Sequence, residues 1–148
     1  MPLRILVVDD HDVVRQGVRL ILRDQPDWQI CGEAENGAEA LQKERQLHPD
    51  LIILDLTMPD IGGLQVANEL RARNSPAKII ILTMHEAKEL ERSVKAAGGV
   101  QGYVIKTHAA RDLVAAIRMV IDGVHFFTLG EPPSEEIIER EKAWPGGP

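Results

Sequence analysis

The sequence has few of the residues that disulfide, membrane or secretory chemistry requires. Cys31 is the only cysteine among 148 residues, so no disulfide can form within the chain, and a reducing, intracellular setting is expected. No apolar run approaches the roughly 20 residues that a membrane-spanning helix needs. The N-terminal apolar run is short and has no small-residue cleavage site after it, so we predict no signal peptide, no membrane attachment and a cytoplasmic location.

Basic charge is also scarce. The chain carries 17 Lys and Arg against 23 Asp and Glu, which gives a formal net charge of −6. Proteins that bind nucleic acid usually present a basic surface, and neither residues 1–125 nor residues 126–148 carry a net positive charge. We therefore predict no direct nucleic-acid binding by this chain.

Five short apolar runs are present, and most are continuous rather than alternating. Continuous runs of this length are typical of strands that are covered on both faces, as in a parallel sheet. Between the runs, apolar residues recur at helical spacing. Strand and helix alternate five times, which predicts an α/β fold with a doubly wound, five-stranded parallel sheet and five flanking helices. The runs are residues 3–8, 28–31, 51–54, 79–82 and 103–105.

The last part of the chain differs in composition. Gly123 is suited to end the fifth helix, and the Gly-Glu-Pro-Pro stretch at 130–133 breaks regular structure. We predict a main domain over residues 1–125 and a short acidic tail over residues 126–148. Within the tail, residues 134–143 are a candidate for a short helix, with Ser134 as its N-cap.

Polar side chains follow four of the five apolar runs. Ligands of an open parallel sheet bind beyond the carboxyl ends of its strands, so we expect these side chains to lie close together. Taken singly, each has a simpler explanation: an aspartate or a threonine can cap a helix, and a lysine at a strand end can be solvated. The residues are Asp9, Asp10, Asp55, Thr83 and Lys106.

Asp55 is difficult to explain as a surface residue. It directly follows the apolar run 51–54, and an unpaired buried carboxylate is costly. Two carboxylates roughly 4–5 Å apart repel each other by about 3–4 kcal/mol at an effective dielectric constant near 20. Lys106 supplies one positive charge, and an oxygen-only site with few protein ligands suits Mg²⁺ better than zinc. An aspartate beside such an ion can act as a nucleophile and form an acyl phosphate.

Four motifs at these positions resemble the receiver domains of two-component response regulators. They are Val-Val-Asp-Asp-His at 7–11, Leu-Asp-Leu-Thr-Met-Pro at 54–59, Leu-Thr-Met-His at 82–85 and Gly-Tyr-Val-Ile-Lys at 102–106. The resemblance covers residues 2–125 and implies a CheY-like, flavodoxin-like fold with strand order 2-1-3-4-5. The sequence is most similar to the receivers of LuxR/NarL/FixJ-type regulators, but residues 128–148 are too few and too acidic to form their helix-turn-helix output domain.

The resemblance also assigns ligands of the site. Asp55 would accept a phosphoryl group from a sensor histidine kinase and would be a ligand of Mg²⁺. Asp10 would bind the ion directly and Asp9 mainly through water. The backbone carbonyl of Thr57 would complete the protein ligands. Gly62-Gly63 matches the flexible turn that opens the third helix.

The remaining roles concern the response to phosphorylation. Thr83 and Lys106 would contact the phosphoryl group. Tyr103 matches the switch aromatic residue that swings inward when Thr83 moves, although a half-buried strand aromatic is the simpler interpretation. Two features depart from the family pattern. The segment between Thr83 and Tyr103 is one residue longer than usual, and Thr107 stands where many relatives have proline.

These observations favour a phosphorylation-controlled switch linked to transcription regulation, which is a binding module rather than an enzyme. Two alternatives stay open. One is a docking or dimerisation module that works without phosphorylation, such as a homodimer through a receiver face. The other is a phosphatase of the haloacid-dehalogenase type, which needs a second aspartate two positions after the nucleophile, where this chain has Thr57.

Overall fold

The sheet has the predicted order, with one strand added. The computed structural model describes residues 2–84 and 88–127, which form a parallel sheet in the order β2-β1-β3-β4-β5-β6. The first five strands of that order confirm the prediction. The strands are β1 (Leu3–Val8), β2 (Trp28–Ala34), β3 (Leu51–Asp55), β4 (Lys78–Thr83), β5 (Gly102–Ile105) and β6 (Phe126–Phe127).

Helices cover both faces of the sheet. They are α1 (Asp12–Leu22), α2 (Gly37–Leu47), α3 (Gly63–Ala72), α4 (Lys88–Ala97) and α5 (Ala109–Ile121), and a 3-10 turn at Lys106–His108 precedes α5. Helices α2, α3 and α4 pack on one face, and α1 and α5 pack on the other. Within the described residues, no helix is both long enough and apolar enough to cross a bilayer.

The central strand shows why the apolar runs are continuous. All five residues of β3 are buried. Ile52 and Leu54 belong to the core beneath α2 to α4, whereas Leu51 and Ile53 belong to the core beneath α1 and α5. Since successive side chains of a strand point to opposite faces, a strand covered on both sides has to be apolar at every position. Asp55 ends this strand and is itself buried.

The sixth strand was not predicted. Phe126 and Phe127 pair in parallel with Gly102 and Tyr103 at the outer edge of β5, so the first residues assigned to the tail are part of the sheet. The chain turns toward this edge at Gly123, whose φ is +83°, a value that favours glycine. A strand of two residues has no periodicity to detect, which is why the sequence did not reveal it. The candidate helix at 134–143 lies outside the described residues.

The loop after β3 is fixed by two close approaches. A Cβ atom at Gly63 would lie 2.2 Å from the backbone oxygen of Asp55, and the Gly63 N–H donates to the Leu56 carbonyl at 2.9 Å. Asp60 accepts hydrogen bonds from the N–H groups of Gly37 and Ala38 at the start of α2, and these bonds lower the pKa of the Asp60 carboxyl. Glycine at position 63 therefore allows α3 to pack closely against Asp55. This requirement is steric, whereas the sequence suggested that Gly62-Gly63 provides a flexible turn.

Candidate functional site

The polar residues that follow β1, β3, β4 and β5 meet at the carboxyl edge of the sheet, as their positions predicted. A cavity of about 370 Å³ opens there, and its lining includes Asp10, Asp55, Thr83 and Lys106. Asp9 lies behind this lining and is 1% exposed. Thr57 and His11 lie at the rim, both in contact with the cavity and exposed to solvent. The structure thus brings together the side chains that the sequence selected.

Lys106 is an ion-pair partner rather than a solvated lysine. Its ammonium nitrogen lies 2.7 Å from Asp9 Oδ2 and 3.4 Å from Asp55 Oδ1, and its side chain is 9% exposed. The interpretation of Lys106 as a solvated residue at a strand end is therefore wrong. One ammonium serves two buried carboxylates, so the site keeps a net negative charge.

Asp55 shows the effect of that charge. The residue is 3% exposed, and its carboxylate accepts a hydrogen bond from the Thr57 N–H at 3.3 Å. Burial and, after it, the negative charge of Asp9 raise the pKa of Asp55 from 3.8 to about 6, even though Lys106 and the Thr57 N–H act in the opposite direction. A bound cation would act in the same direction as Lys106: it would lower the pKa of Asp55 and stabilise the ionised carboxylate.

Asp9 and Asp10 do not cap the first helix. The N-cap residue of α1 is His11, and no side chain forms a capping hydrogen bond there. Instead, Asp9 Oδ1 accepts the His11 N–H at 2.8 Å. Asp10 Oδ1 lies 3.2 Å from the His11 ring nitrogen Nδ1. Three carboxylates gathered around one ammonium are costly unless a further cation compensates them, so the donor set fits a metal ion.

The candidate metal ligands lie within one small volume. Asp9, Asp10, His11 and Asp55 each offer one ligand atom, and these atoms all lie within 4.8 Å of one another. Three of the four are carboxylates, which suit hard divalent cations such as Mg²⁺. The role of the Thr57 backbone carbonyl as a further ligand stays a prediction.

The two predicted switch residues lie on the same face of neighbouring strands. Tyr103 pairs with Ile81, and Thr83 pairs with Ile105, so Thr83 is two residues along β4 from the partner of Tyr103. Tyr103 is 0% exposed and Thr83 is 1% exposed. The interpretation of Tyr103 as a half-buried aromatic residue is wrong, because its ring is inside the protein. Its role as a switch stays a prediction.

Sequence reasoning missed two charged residues around the site. Arg15 of α1 donates to the backbone oxygen of Asp9 at 2.6 Å and to Glu33 at 3.0 Å, so it holds the loop that carries the acidic pair. Glu91 of α4 is 2% exposed, and its charge, together with burial as the larger cause, raises the pKa of Tyr103 to about 12. Neither residue interrupts a motif or an apolar stripe in a way that would have revealed it.

Known proteins share this arrangement. The response regulator receiver domain family matches residues 5–118. The chain is 36% identical over 126 residues to the response regulator GacA of Pseudomonas viridiflava, covering 85% of this chain and 58% of that protein. It is 37% identical over 128 residues to the response regulator protein VraR of Staphylococcus aureus, covering 86% of this chain and 60% of VraR. It therefore spans less than two thirds of the length of these relatives.

A solved structure shows the same fold. The crystal structure of a two-component response regulator of the LuxR family from Aurantimonas sp. SI85-9A1 superposes with a TM-score of 0.80 and 31% sequence identity. The match covers 97% of this chain and 100% of the other chain. The similarity thus extends over the whole sheet and the edge where the acidic residues meet.

Proposed function

Since this chain belongs to the response regulator receiver domain family, we propose that it is switched by transfer of a phosphoryl group from a sensor histidine kinase to Asp55. The observation that supports this most strongly is the state of the Asp55 carboxylate. It is buried beside Lys106 and Asp9, it borders an open cavity, and its pKa is raised to about 6. Near pH 7 it is therefore mostly ionised and can act as a nucleophile.

The transfer requires little of the protein beyond positioning and charge. An oxygen of Asp55 attacks the phosphorus atom, the phosphorus–nitrogen bond to the kinase histidine breaks, and the imidazole leaves as the new phosphorus–oxygen bond forms. Lys106 and the Thr83 hydroxyl then contact the transferred phosphoryl oxygens. Thr83 lines the cavity beside Asp55, which supports this assignment.

Mg²⁺ is the proposed cofactor. Asp10, Asp55 and the Thr57 backbone carbonyl would hold it directly, and Asp9 mainly through water. When bound, the ion supplies positive charge against the charge that develops on the phosphoryl oxygens. The clustering of the Asp9, Asp10 and Asp55 ligand atoms within 4.8 Å of one another and the raised pKa of Asp55 both support a cation at this position.

The readout is a change of conformation. A phosphoryl group adds nearly two negative charges, and moving a two-state equilibrium from 1:99 to 99:1 takes about 5.5 kcal/mol. New contacts of the phosphoryl group with Thr83 and Lys106 supply part of this free energy. Tyr103 swings inward when Thr83 moves. The change would act on a partner or on an output region outside this chain, in line with transcription regulation. We propose no direct nucleic-acid contact by these residues and a cytoplasmic location.

A labelling experiment tests the proposal. Incubation with acetyl phosphate and Mg²⁺ should add one phosphoryl group to the wild-type protein, detected by intact mass. The Asp55→Asn variant should stay unlabelled, and so should the wild type in the presence of EDTA. Equal labelling of Asp55→Asn would overturn the assignment of the phosphoacceptor.

One alternative is supported by a specific surface. Val13 and Leu20 are 72% and 60% exposed and lie seven residues apart, on one face of α1. Such a face suits a homodimer or a docking partner. Light scattering with and without acetyl phosphate would distinguish phosphorylation-controlled association from a phosphorylation-independent dimer. The independent dimer keeps its mass in both conditions and in Asp55→Asn.

A phosphatase function is disfavoured by the position two residues after Asp55. Thr57 stands there in place of the aspartate that haloacid-dehalogenase enzymes use, and no other carboxylate among the described residues lines the cavity apart from Asp10. We propose that the chain turns over only its own acyl phosphate. Rapid, repeated hydrolysis of p-nitrophenyl phosphate would contradict this.

A further inference from the structure

Phe127 lies beside the buried Tyr103 at the outer edge of the sheet. The two residues pair in parallel between β6 and β5, so their side chains point to the same face of the sheet. On its other side Tyr103 pairs with Ile81 of β4, which is 0% exposed. Helix α4 covers this face, since Val94 belongs to the same buried cluster as Tyr103. The Tyr103 ring is therefore bounded by β4, α4 and the half-buried Phe127, and Phe127 is the boundary nearest to solvent.

Three contacts seat Phe127 at this edge. Its side chain packs against the core beneath α2 to α4. The Lys95 ammonium of α4 lies 5.4 Å from the centre of its ring, a placement in which the cation is attracted to the aromatic face. The His125 ring meets the Phe127 ring edge-on, with the two centroids 6.1 Å apart. These contacts tie β6 to α4 as well as to β5.

The strand that carries Phe127 is short enough to detach from the sheet. β6 has two residues, and within the described part of the chain it pairs only with β5. Its other residue, Phe126, packs on the opposite face against the core beneath α1 and α5, and the Phe126 N–H donates to the Gln101 carbonyl at 2.9 Å. Elements with few buried contacts open at a lower free energy than the whole fold. β6 can therefore leave the edge while the other five strands stay paired.

An outward movement of Tyr103 requires the space that Phe127 fills. Neighbouring strands are about 4.8 Å apart, so a phenol ring that turns away from β4 meets the Phe127 ring directly. Protein interiors are close-packed, and two aromatic rings cannot occupy one space. Tyr103 can turn outward only after Phe127 has lifted, and Phe127 can return to its seat only after Tyr103 has turned inward.

We propose that β6 is a releasable strap: Phe127 holds Tyr103 in its buried position, and outward movement of Tyr103 lifts Phe127 off the edge of β5. The link to phosphorylation rests on the proposed function, in which Tyr103 moves inward with Thr83. Phosphorylation then tightens the strap, and β6 passes the change directly to the chain that continues beyond residue 127. Phe127 and Lys95 are positioning residues, and neither lines the cavity at Asp55.

The first test observes Tyr103 in the full, unphosphorylated chain. Tyr103 is the only tyrosine, so incorporated 3-fluorotyrosine gives one fluorine resonance, and a soluble gadolinium chelate measures how often that ring is exposed to solvent. The variant is Phe127→Ala, and Phe127→Leu is its conservative form. The matched control is Val124→Ala, because Val124 is 49% exposed and lies between α5 and β6. Circular dichroism verifies that each variant is folded.

Phe127→Ala should shift the Tyr103 resonance and raise the paramagnetic relaxation of its fluorine by at least about fivefold, the lower end of a typical coupling between two sites. Phe127→Leu should keep most of the protection, because a large apolar side chain still fills the edge. Val124→Ala should match the wild type. An unchanged resonance and unchanged exposure in folded Phe127→Ala would overturn the strap.

The second test observes β6, because coupling between two sites is reciprocal. Acetyl phosphate with Mg²⁺ should slow hydrogen exchange of the Phe126 amide in the wild type by about fivefold or more. In Tyr103→Leu the same treatment should still label Asp55, whereas the exchange at Phe126 should no longer respond, since the ring that reaches Phe127 is gone. Labelling of wild-type Asp55 with no change at Phe126 would show that the strap is not coupled to the switch, which is equally fatal to the proposal.

These outcomes are distinct from a failure of the proposed function. If acetyl phosphate labels Asp55 while neither the fluorine resonance nor the Phe126 amide responds, the switch stands and the strap is wrong. If the wild type is not labelled, the proposed function fails. The fluorine comparison of the wild type with Phe127→Ala then decides the strap by itself, because it uses no phosphate donor.

Discussion

The Lys106 ammonium lies 2.7 Å from Asp9 Oδ2, and this ion pair joins the end of β1 to the end of β5 across the two strands between them. The same ammonium is 3.4 Å from Asp55 Oδ1. Burial and, after it, the charge of Asp9 outweigh the effect of Lys106, so the pKa of Asp55 is raised to about 6. The positive charge of Lys106 is thus divided unequally between two carboxylates.

Asp55 should make the metal-free protein less stable as the pH rises. Its pKa of about 6 in the folded state exceeds the 3.8 of an ordinary aspartate, so between those values the folded state binds more protons than the unfolded state. The free energy of unfolding should fall from pH 4 to pH 6, by up to about 3 kcal/mol from this group. Urea denaturation in EDTA measures it.

The variant Asp55→Asn isolates this contribution. It should be more stable than the wild type at pH 7 by about 1–3 kcal/mol, and the difference should vanish below pH 4. Asp24→Asn is the control, because the Asp24 side chain is 84% exposed. A stability difference that does not change with pH would show that the raised pKa of Asp55 is not its source.

Loss of the ammonium should be costly because two buried carboxylates share it. Lys106→Met should lower the free energy of unfolding of the metal-free protein by about 3 kcal/mol, the lower end of the range for breaking a buried pair. The double variant Asp9→Asn/Lys106→Met should recover part of the loss. Lys88→Met, at an exposed position, should change little. A coupling energy near zero in the double-mutant cycle would contradict the pairing.

The close approach at Gly63 makes it intolerant of a side chain. Gly63→Ala places a Cβ 2.2 Å from the Asp55 backbone oxygen, so we expect a loss of about 3 kcal/mol together with slower labelling of Asp55. Gly62→Ala is the matched control, because its Cβ would meet the Leu56 oxygen at an ordinary 3.6 Å. Equal stability of the two variants in thermal unfolding would show that α3 can retreat from Asp55.

Arg15 should act by positioning the acidic loop. Arg15→Gln removes the donor to the Asp9 backbone oxygen and to Glu33, and we expect a loss of roughly 1.5–3 kcal/mol in stability and weaker Mg²⁺ binding. Arg19→Gln, whose side chain is 43% exposed and also pairs with Glu33, should affect neither Mg²⁺ binding nor labelling. If Arg15→Gln loses stability but keeps its Mg²⁺ affinity, Arg15 supports only the fold.

Tyr103 offers a direct optical probe, because it is the only tyrosine in the chain. Burial and the charge of Glu91 raise its pKa to about 12, so its phenol should ionise well above pH 10 in an ultraviolet titration. Glu91→Gln should lower that pKa without restoring the ordinary value of 10, since burial is the larger cause. Glu89→Gln, at an exposed position, should leave it unchanged.

Much of the fold followed from local patterns. Strand β1 was predicted with the bounds observed, and the other four predicted strands were extended by one to three residues. The stripe of Leu113, Ala116, Ile117 and Val120 is fully buried in α5, as helical spacing predicted. The strand β6 was missed because its two residues gain their structure from the edge of β5, which no local pattern records.

The sequence by itself determined which residues reach the site, because buried parallel strands must be apolar throughout and must therefore change to polar residues where they end. Asp9, Asp55 and Lys106 follow such runs, so their meeting was predictable. The tertiary structure decided how these groups share charge. The closer pairing of Lys106 with Asp9, and the placing of Arg15 behind the acidic loop, depend on distances between elements that are far apart in the chain, and local sequence does not encode such distances.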